Sequence, residues 1–166
     1  MLISSWYHLT FREPIYRGSR SAFIREDLVG IHKVVAFMNL WVRNRHVARD
    51  FLLLRYEDLQ QDPREALLQV LAFLDQPIPS DATVDEVIEA SSFRNMKQAE
   101  KQRASGSPWL NPGQRPTDDA LKVRKGKVGG FRSELSEADI HYLDQVIRDE
   151  IDEALASYAY DSLTPR

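Results

Sequence analysis

A chain of 166 residues, 43% apolar and 28% charged with a net charge of −3, is long enough for one domain with a real core and has the balance of an ordinary soluble protein. The absence of cysteine excludes disulfides, thiolate nucleophiles and cysteine-ligated metals, and four scattered histidines without an HExxH-type spacing argue against zinc. No stretch approaches the ~20 apolar residues of a membrane span, the opening MLISSWYHLTFREP lacks the basic start of a signal peptide, and the negative balance argues against a general nucleic-acid binder.

In chain order, Ser4 and Ser5 come first, before Trp6, Tyr7 and His8. Hydroxyls at that place can bind a phosphate. His8 has the chemistry of a base, but nothing around it orients a nucleophile, and a surface or structural histidine is the simpler reading. From Ser21 to about Arg49, Ile24, Leu28, Ile31, Val35, Met38 and Val42 recur at spacings of three and four, which predicts a helix with one apolar face. Gly30 falls inside it, so two shorter helices are the alternative. Basic residues at its end (Arg43, Arg45, His46, Arg49) suit the negative end of a helix.

Phe51 to Tyr56 reads FLLLRY, an apolar run without alternation, as in a strand buried on both faces of a parallel sheet. The alternative is a mostly helical domain in which this run is a buried helix end. A helix follows, with Asp62 as its cap, Pro63 in its first turn, Glu65 at the capping-box position and Leu67, Val70, Leu71 and Leu74 as its stripe. A short helix is predicted near 83–90. Residues 99–120 are polar, rich in proline and without periodicity, and read as a long loop with Trp109 as an anchor. The last element runs from Ser136 to about Tyr158, with Ser136 and Asp139 as a capping box and Ile140, Leu143, Ile147, Ile151 and Leu155 as the stripe. One strand without neighbours leaves its backbone groups unpaired, so the sequence reads as part of a larger α/β domain.

Chemistry is concentrated in three places. KVRKGKVGG at 122–130 interleaves Lys122, Arg124, Lys125 and Lys127 with Gly126, Gly129 and Gly130. Glycine lets the main chain bend around an anion, arginine forks onto its oxygens and lysine adds a point charge, so this is either a phosphate clamp or a solvated charge run. It is not the GxxxxGK[ST] loop, which the chain lacks. At the strand end, Tyr56 can pack on a base or lie in the core. Glu57 and Asp58 can serve acid–base or magnesium chemistry, or cap backbone donors, which is the commoner use. In Ser91-Ser92-Phe93-x-x-Met96, a serine and the ring of Phe93 can recognise a purine, or equally serve turn bonding and packing.

Taken in order, these segments resemble the sulfotransferase family that uses the nucleotide sulfate donor PAPS, of the cytosolic and bacterial kind. LRYEDLQQDP resembles its YEDL–DP segment, SSFRNM its T-S-F-x-x-M segment, VRKGKVGGF its RKGxxGDW stretch, and MLISSWYHL the stretch that follows its R-D-P-R-D motif. The resemblance implies that Tyr56 lies near the adenine, that Ser91 hydrogen-bonds to it and Phe93 packs on it, and that Arg124, Lys125 and Gly126 hold the 3′-phosphate with Ser4, Ser5 being a rival in register. Gly130 and Phe131 stand where the family usually has Asp and Trp.

The phosphosulfate loop with its lysine and threonine, the catalytic histidine and the arginine of the 3′-phosphate motif cannot be assigned. The expected fold class is therefore α/β, the C-terminal portion of a P-loop-NTPase-like sulfotransferase domain, mostly helical with one parallel-type strand at 51–56. Residues 1–166 are expected to form a single incomplete domain, with 99–120 a flexible loop over the site. The implied function is transfer of a sulfuryl group from PAPS to a hydroxyl or amine, leaving PAP, with no metal. This chain would supply the adenine and 3′-phosphate side of the donor site, no catalytic residue, and no activity alone.

The acceptor is open among small molecules, lipids, glycans and polyketides. A separate chain supplying the missing half is a further expected partner; nucleic acid and a membrane span are not expected, and the location is cytoplasmic. The alternatives are a non-catalytic PAP-binding remnant and a helical protein-interaction module. Nucleic-acid binding would need further basic surface, and kinase-like transfer would need a nucleotide loop and metal ligands.

Overall fold

A computed structural model describes residues 1–102 and 117–158, and every regular element among them is helical. Apolar residues at 2, 3, 6 and 7 share one face of a helical turn, and α1 (Leu2–Tyr7) buries all four. A π turn at His8–Arg12 continues it. Ser19 starts α2 (Arg20–Phe23), its hydroxyl accepting from the Ala22 N–H at 3.1 Å.

The predicted 21–49 helix is divided at Gly30. A Cβ there would lie 2.3 Å from the Glu26 carbonyl and 2.7 Å from that of Ile24, so a residue without a side chain is needed where the chain folds back. α3 (Ile31–Arg43) begins immediately after it. Ile24, Ile31, Val35 and Val42 of the predicted stripe are buried, whereas Leu28, in the break, is 76% exposed.

Four further helices and a last long one follow: α4 (Tyr56–Gln61), α5 (Pro63–Phe73), α6 (Asp81–Ala90), α7 (Phe93–Lys101) and α8 (Glu137–Glu150). Four of these five starts carry a side-chain cap. Asp62 accepts from the Glu65 N–H at 2.9 Å, with Pro63 behind it, and Ser80, Ser92 and Ser136 accept from the N–H groups of Thr83, Asn95 and Asp139. Short 3₁₀ turns at Asp118–Ala120, Gly130–Ser133 and Glu153–Tyr158 connect the rest.

The core brings α1 and α8 together. Leu2, Ile3, Trp6 and Tyr7 of α1 pack with Phe23, Ile24, Ile31 and Val35, and with Leu143 and Val146 of α8. Asn39, buried on α3, fixes the end of α8: its amide donates to the Glu150 carbonyl at 2.7 Å and its oxygen accepts from the Asp152 N–H at 2.8 Å. This stops the predicted 136–158 helix at Glu150, where Ile151 turns to extended backbone. At the start of α8, Asp139 accepts from Ser21 and Arg25, each at 2.6 Å, and from Ser136 at 2.8 Å. Burial raises its carboxyl, but the bonds from Ser21, Arg25 and Ser136 and the Arg25 charge more than offset this and bring it down to about 2.

The expected α/β class is corrected: no strand exists among the described residues, and nothing in them supports a P-loop-like sheet. The stretch 51–54 is irregular rather than a ladder strand, and Tyr56, taken as the strand's last residue, is the first residue of α4. Its burial gives the physical reason. Phe51 and Leu53 are 37% and 43% exposed while Leu52 and Leu54 are half-buried, so the run is partly covered on one side instead of being covered on both. Absence of alternation in the letters reflected four apolar residues in a row, not two covered faces. The predicted loop 99–120 is entered by α7, which takes 99–101, and left through the turn at 118–120; residues 103–116, with Trp109, lie outside the described residues. No described helix is long and apolar enough to cross a membrane.

Candidate functional site

Two of the segments singled out in the sequence meet. Ser92 caps α7 and thereby sets the direction of Phe93, its first residue. Opposite stands Gly126 with φ +56°, and a Cβ built on it would lie 2.1 and 2.3 Å from Cδ2 and Cε2 of Phe93. The ring therefore rests on the bare α-carbon, and glycine is required both for the left-handed backbone and for this approach. Lys97, one turn along α7, donates to the Arg124 carbonyl at 2.9 Å and holds its ammonium 5.8 Å from the centre of the Phe93 ring.

The chain entering this turn is fixed from below by Glu100, whose carboxylate is fully buried. It accepts from the N–H of Lys122 at 2.8 Å and of Val123 at 2.9 Å, and from Arg12 at 2.9 Å, while Arg12 also donates to the Ala120 carbonyl at 3.3 Å. A buried charge is tolerated only when paired and hydrogen-bonded; here both conditions are met by holding the main chain at 120–123.

Arg124 and Lys125 project from the fixed segment toward α1. The Arg124 guanidinium lies 3.5 Å from the centre of the Tyr7 ring, a cation–π stack, and donates to Glu134 Oε1 at 3.0 Å. Lys125 Nζ donates to the same oxygen. Glu134 Oε2 accepts from the Tyr7 hydroxyl at 2.9 Å and pairs with Arg20 at 3.2 Å, and Arg20 in turn donates to Tyr7 Oη at 2.8 Å. Three cations thus share one carboxylate whose side chain is 5% exposed. Burial pushes the Glu134 carboxyl up; the hydrogen bonds from Lys125, Arg124 and Tyr7 and the charge of Arg124 outweigh it and hold the group at about 2.

Two open depressions lie along α7 and beside α1. One, of about 540 Å³, runs along α7 past Phe93, Arg94, Lys97 and Lys101. The other, of about 360 Å³, lies between Ser4, Ser5 and His8 on one side and Asp119 to Lys122 on the other. Both are bordered by basic side chains.

Of the residues named from the sequence, Phe93, Arg124, Lys125 and Gly126 come together. Ser4 is exposed on α1 in the second depression, facing the Lys122 wall, and makes no hydrogen bond to Arg124 or Lys125. Ser5 directs its hydroxyl toward the Met1 carbonyl at 3.5 Å. Tyr56, 49% exposed at the head of α4, has no ring contact with Phe93. Ser91 is exposed just beyond α6, its N–H donating to Val87, while Ser92 does the capping. His8 lies 3.5 Å from Glu13. Sequence reasoning missed Tyr7, Arg20, Lys97, Glu100 and Glu134. Only Lys97, at i+4 from Phe93, carried a local signal.

A model of the sulfotransferase domain matches residues 2–157. Cytosolic sulfotransferase 10 of Arabidopsis thaliana is 25% identical over 118 residues, 69% of this chain and 33% of the relative. The amine sulfotransferase of Oryctolagus cuniculus is 24% identical over 112 residues, covering 68% and 36%. The 3-alpha-hydroxysteroid sulfotransferase of Cavia porcellus is 28% identical over 111 residues, covering 67% and 37%. The chain spans about a third of the length of these curated relatives. The expectation that the resemblance is to a C-terminal part only is corrected by the domain match, which takes in essentially the whole chain. On that match, the chain belongs to the sulfotransferase domain family.

Proposed function

We propose that this chain binds the sulfate donor PAPS of a sulfuryl-transfer reaction through its adenine and 3′-phosphate, in the cytoplasm, for an acceptor hydroxyl or amine. The observation that carries the reading is the meeting of Phe93 with Gly126 beside a cluster in which three cations share one carboxylate. An aromatic face next to two uncompensated positive charges suits a nucleotide bearing a dianionic phosphate. The residues fit that ligand by charge. Arg124 and Lys125 would hold the 3′-phosphate, Gly126 would let the main chain approach it, and Phe93 would pack against the base. Tyr56, Ser91 and Ser4 are assigned to adenine and phosphate by family resemblance alone, and their role requires the ligand to extend beyond the cluster.

When bound, PAPS supplies the sulfuryl group that passes in line to the acceptor. The work of these residues is to bind and orient the donor rather than to move a proton. Acceptors of both classes occur in the names of relatives, an amine in one and a hydroxysteroid in another; the cytoplasmic location is supported by relatives named cytosolic.

The test is calorimetric titration of the full chain with adenosine 3′,5′-bisphosphate and, in parallel, adenosine 5′-monophosphate. Two charge-assisted hydrogen bonds contribute about 1.5–3 kcal/mol each, so the Arg124→Ala, Lys125→Ala double variant should lose roughly 100-fold or more in affinity for the bisphosphate. It should lose little for the monophosphate. Equal binding of the bisphosphate by the double variant and the native chain would refute the assignment.

A further inference from the structure

The cation cluster that the proposed function assigns to a phosphate already holds an anion of the chain's own. Glu134 receives Lys125 and Arg124 on one oxygen, and Tyr7 and Arg20 on the other. A carboxylate oxygen and a phosphate oxygen offer the same acceptor to an ammonium or guanidinium. We infer that Glu134 is an internal anion that occupies this cluster when no ligand is bound and competes with the ligand's phosphate, with Lys125 as the group that changes partner. This rests on the reading that Arg124 and Lys125 bind phosphate, and it adds how that site is regulated.

The alternative is that Glu134 positions the two cations and so assists binding, and the contacts around it argue against that. Arg124 is held independently, its guanidinium 3.5 Å from the centre of the Tyr7 ring and its carbonyl accepting from Lys97. Arg20 is also held without the carboxylate, by Tyr7 Oη at 2.8 Å and by the main-chain carbonyl of Glu134 at 3.3 Å. Lys125 differs. Its side chain is 49% exposed against 15% for Arg124, and the bond to Glu134 is the one that turns its tip inward. An ammonium on a flexible, half-exposed stem can leave one oxygen for another with little rearrangement. Charge points the same way, because removing the carboxylate leaves the cluster's three cations for the incoming phosphate alone.

The experiment compares Glu134→Gln with the native chain in titrations with adenosine 3′,5′-bisphosphate, circular dichroism confirming that the variant is folded. Glutamine keeps the shape and one acceptor oxygen but removes the charge. Like charges a few ångströms apart at a partly screened site repel by more than a factor of ten in binding, so affinity should rise at least about tenfold. Lys125→Gln should then cost more in the Glu134→Gln background than in the native one, because the lysine no longer has to be released first. Unchanged or weaker binding by Glu134→Gln overturns the inference.

If Glu134→Gln fails to fold, Glu134→Asp takes its place. It withdraws the carboxylate by one methylene and should tighten binding by a smaller factor, and no gain overturns the inference. The two readings fail separately. Native binding abolished by Arg124→Ala, Lys125→Ala together with no gain in Glu134→Gln leaves the phosphate clamp standing and removes the competition. Binding by Glu134→Gln alone supports the competition, and binding by neither protein removes both.

Discussion

Replacing Gly126 by alanine tests the contact on which the site is built, and its cost divides into two parts. Left-handed backbone costs a non-glycine residue about 1–2 kcal/mol, and Gly126 has φ +56°. The added methyl would also sit 2.1 and 2.3 Å from two carbons of the Phe93 ring, which must move, and such overpacking costs about 1–3 kcal/mol. The unfolded chain, stiffened by alanine, gives back ~0.4–1 kcal/mol, so the net expectation is a loss of about 2–4 kcal/mol.

Gly129 is the internal control. It has φ +70° but nothing within 4 Å of a built Cβ, so Gly129→Ala should cost about 1 kcal/mol, the backbone part alone. Urea unfolding followed by circular dichroism gives both values from the midpoints at constant slope, and melting should fall by about 2–4 °C for each kcal/mol. Repeating Gly126→Ala in a Phe93→Ala background should reduce its cost to that of Gly129→Ala, since the ring it strikes is gone. Equal costs for the two glycines, or a Gly126→Ala cost indifferent to Phe93, would refute the packing of α7 on the 124–126 turn.

Glu100→Ala should destabilise the chain by about 3–5 kcal/mol, as expected when a buried ion pair loses one partner, and should weaken adenosine 3′,5′-bisphosphate binding through the displaced 120–124 segment; thermal melts and titration measure the two. Ser92→Ala should cost about 1 kcal/mol as a lost helix cap, while Ser91→Ala, whose hydroxyl caps nothing, should leave stability unchanged and reduce only bisphosphate binding. The carboxyls of Glu134 and Asp139 stand at about 2 in the folded chain against ordinary values of 4.5 and 3.8. Because both folded values are depressed, the stabilisation they give is complete above roughly pH 5, shrinks once the unfolded carboxyls begin to protonate, and is gone near pH 2. Urea midpoints between pH 7 and pH 2.5 should therefore fall with acid, and substituting Glu134→Gln and Asp139→Asn together should flatten that fall.

What the sequence made legible was local. Asp62 with Pro63 and Glu65, and Ser136 with Asp139, stand in the structure as helix starts because a cap is decided within four residues. The division at Gly30 was open as an alternative for the same reason: a glycine in a helical pattern can be paid for only where side chains do not fit. Phe51 to Tyr56 misled because an apolar run reports that residues avoid water, not which partner covers them. Four apolar letters in succession look alike whether two helical layers or one lie against them, and the exposed Phe51 and Leu53 show that here one side was left uncovered. The glycines and charges of 122–130 were visible, but the residues that meet them were not, since Tyr7 and Arg20 meet Glu134 across more than a hundred positions of chain.

The placement of Glu100 explains how the segment carrying Arg124 and Gly126 is held. A buried carboxylate loses several kcal/mol of hydration, and one arginine partner often does no more than offset that loss. Glu100 gains two main-chain donors besides, the consecutive N–H groups of Lys122 and Val123, and so ties that segment to α7. Main-chain donors are alike at every residue, so sliding the chain by one would leave Glu100 two N–H partners but would move Arg124 off the Tyr7 ring and Gly126 from under Phe93. Glu100 thus fixes the path of the segment and side chains fix its register: with Arg124 over Tyr7 and α7 started at its Ser92 cap, position 126 passes under Phe93, where glycine is required.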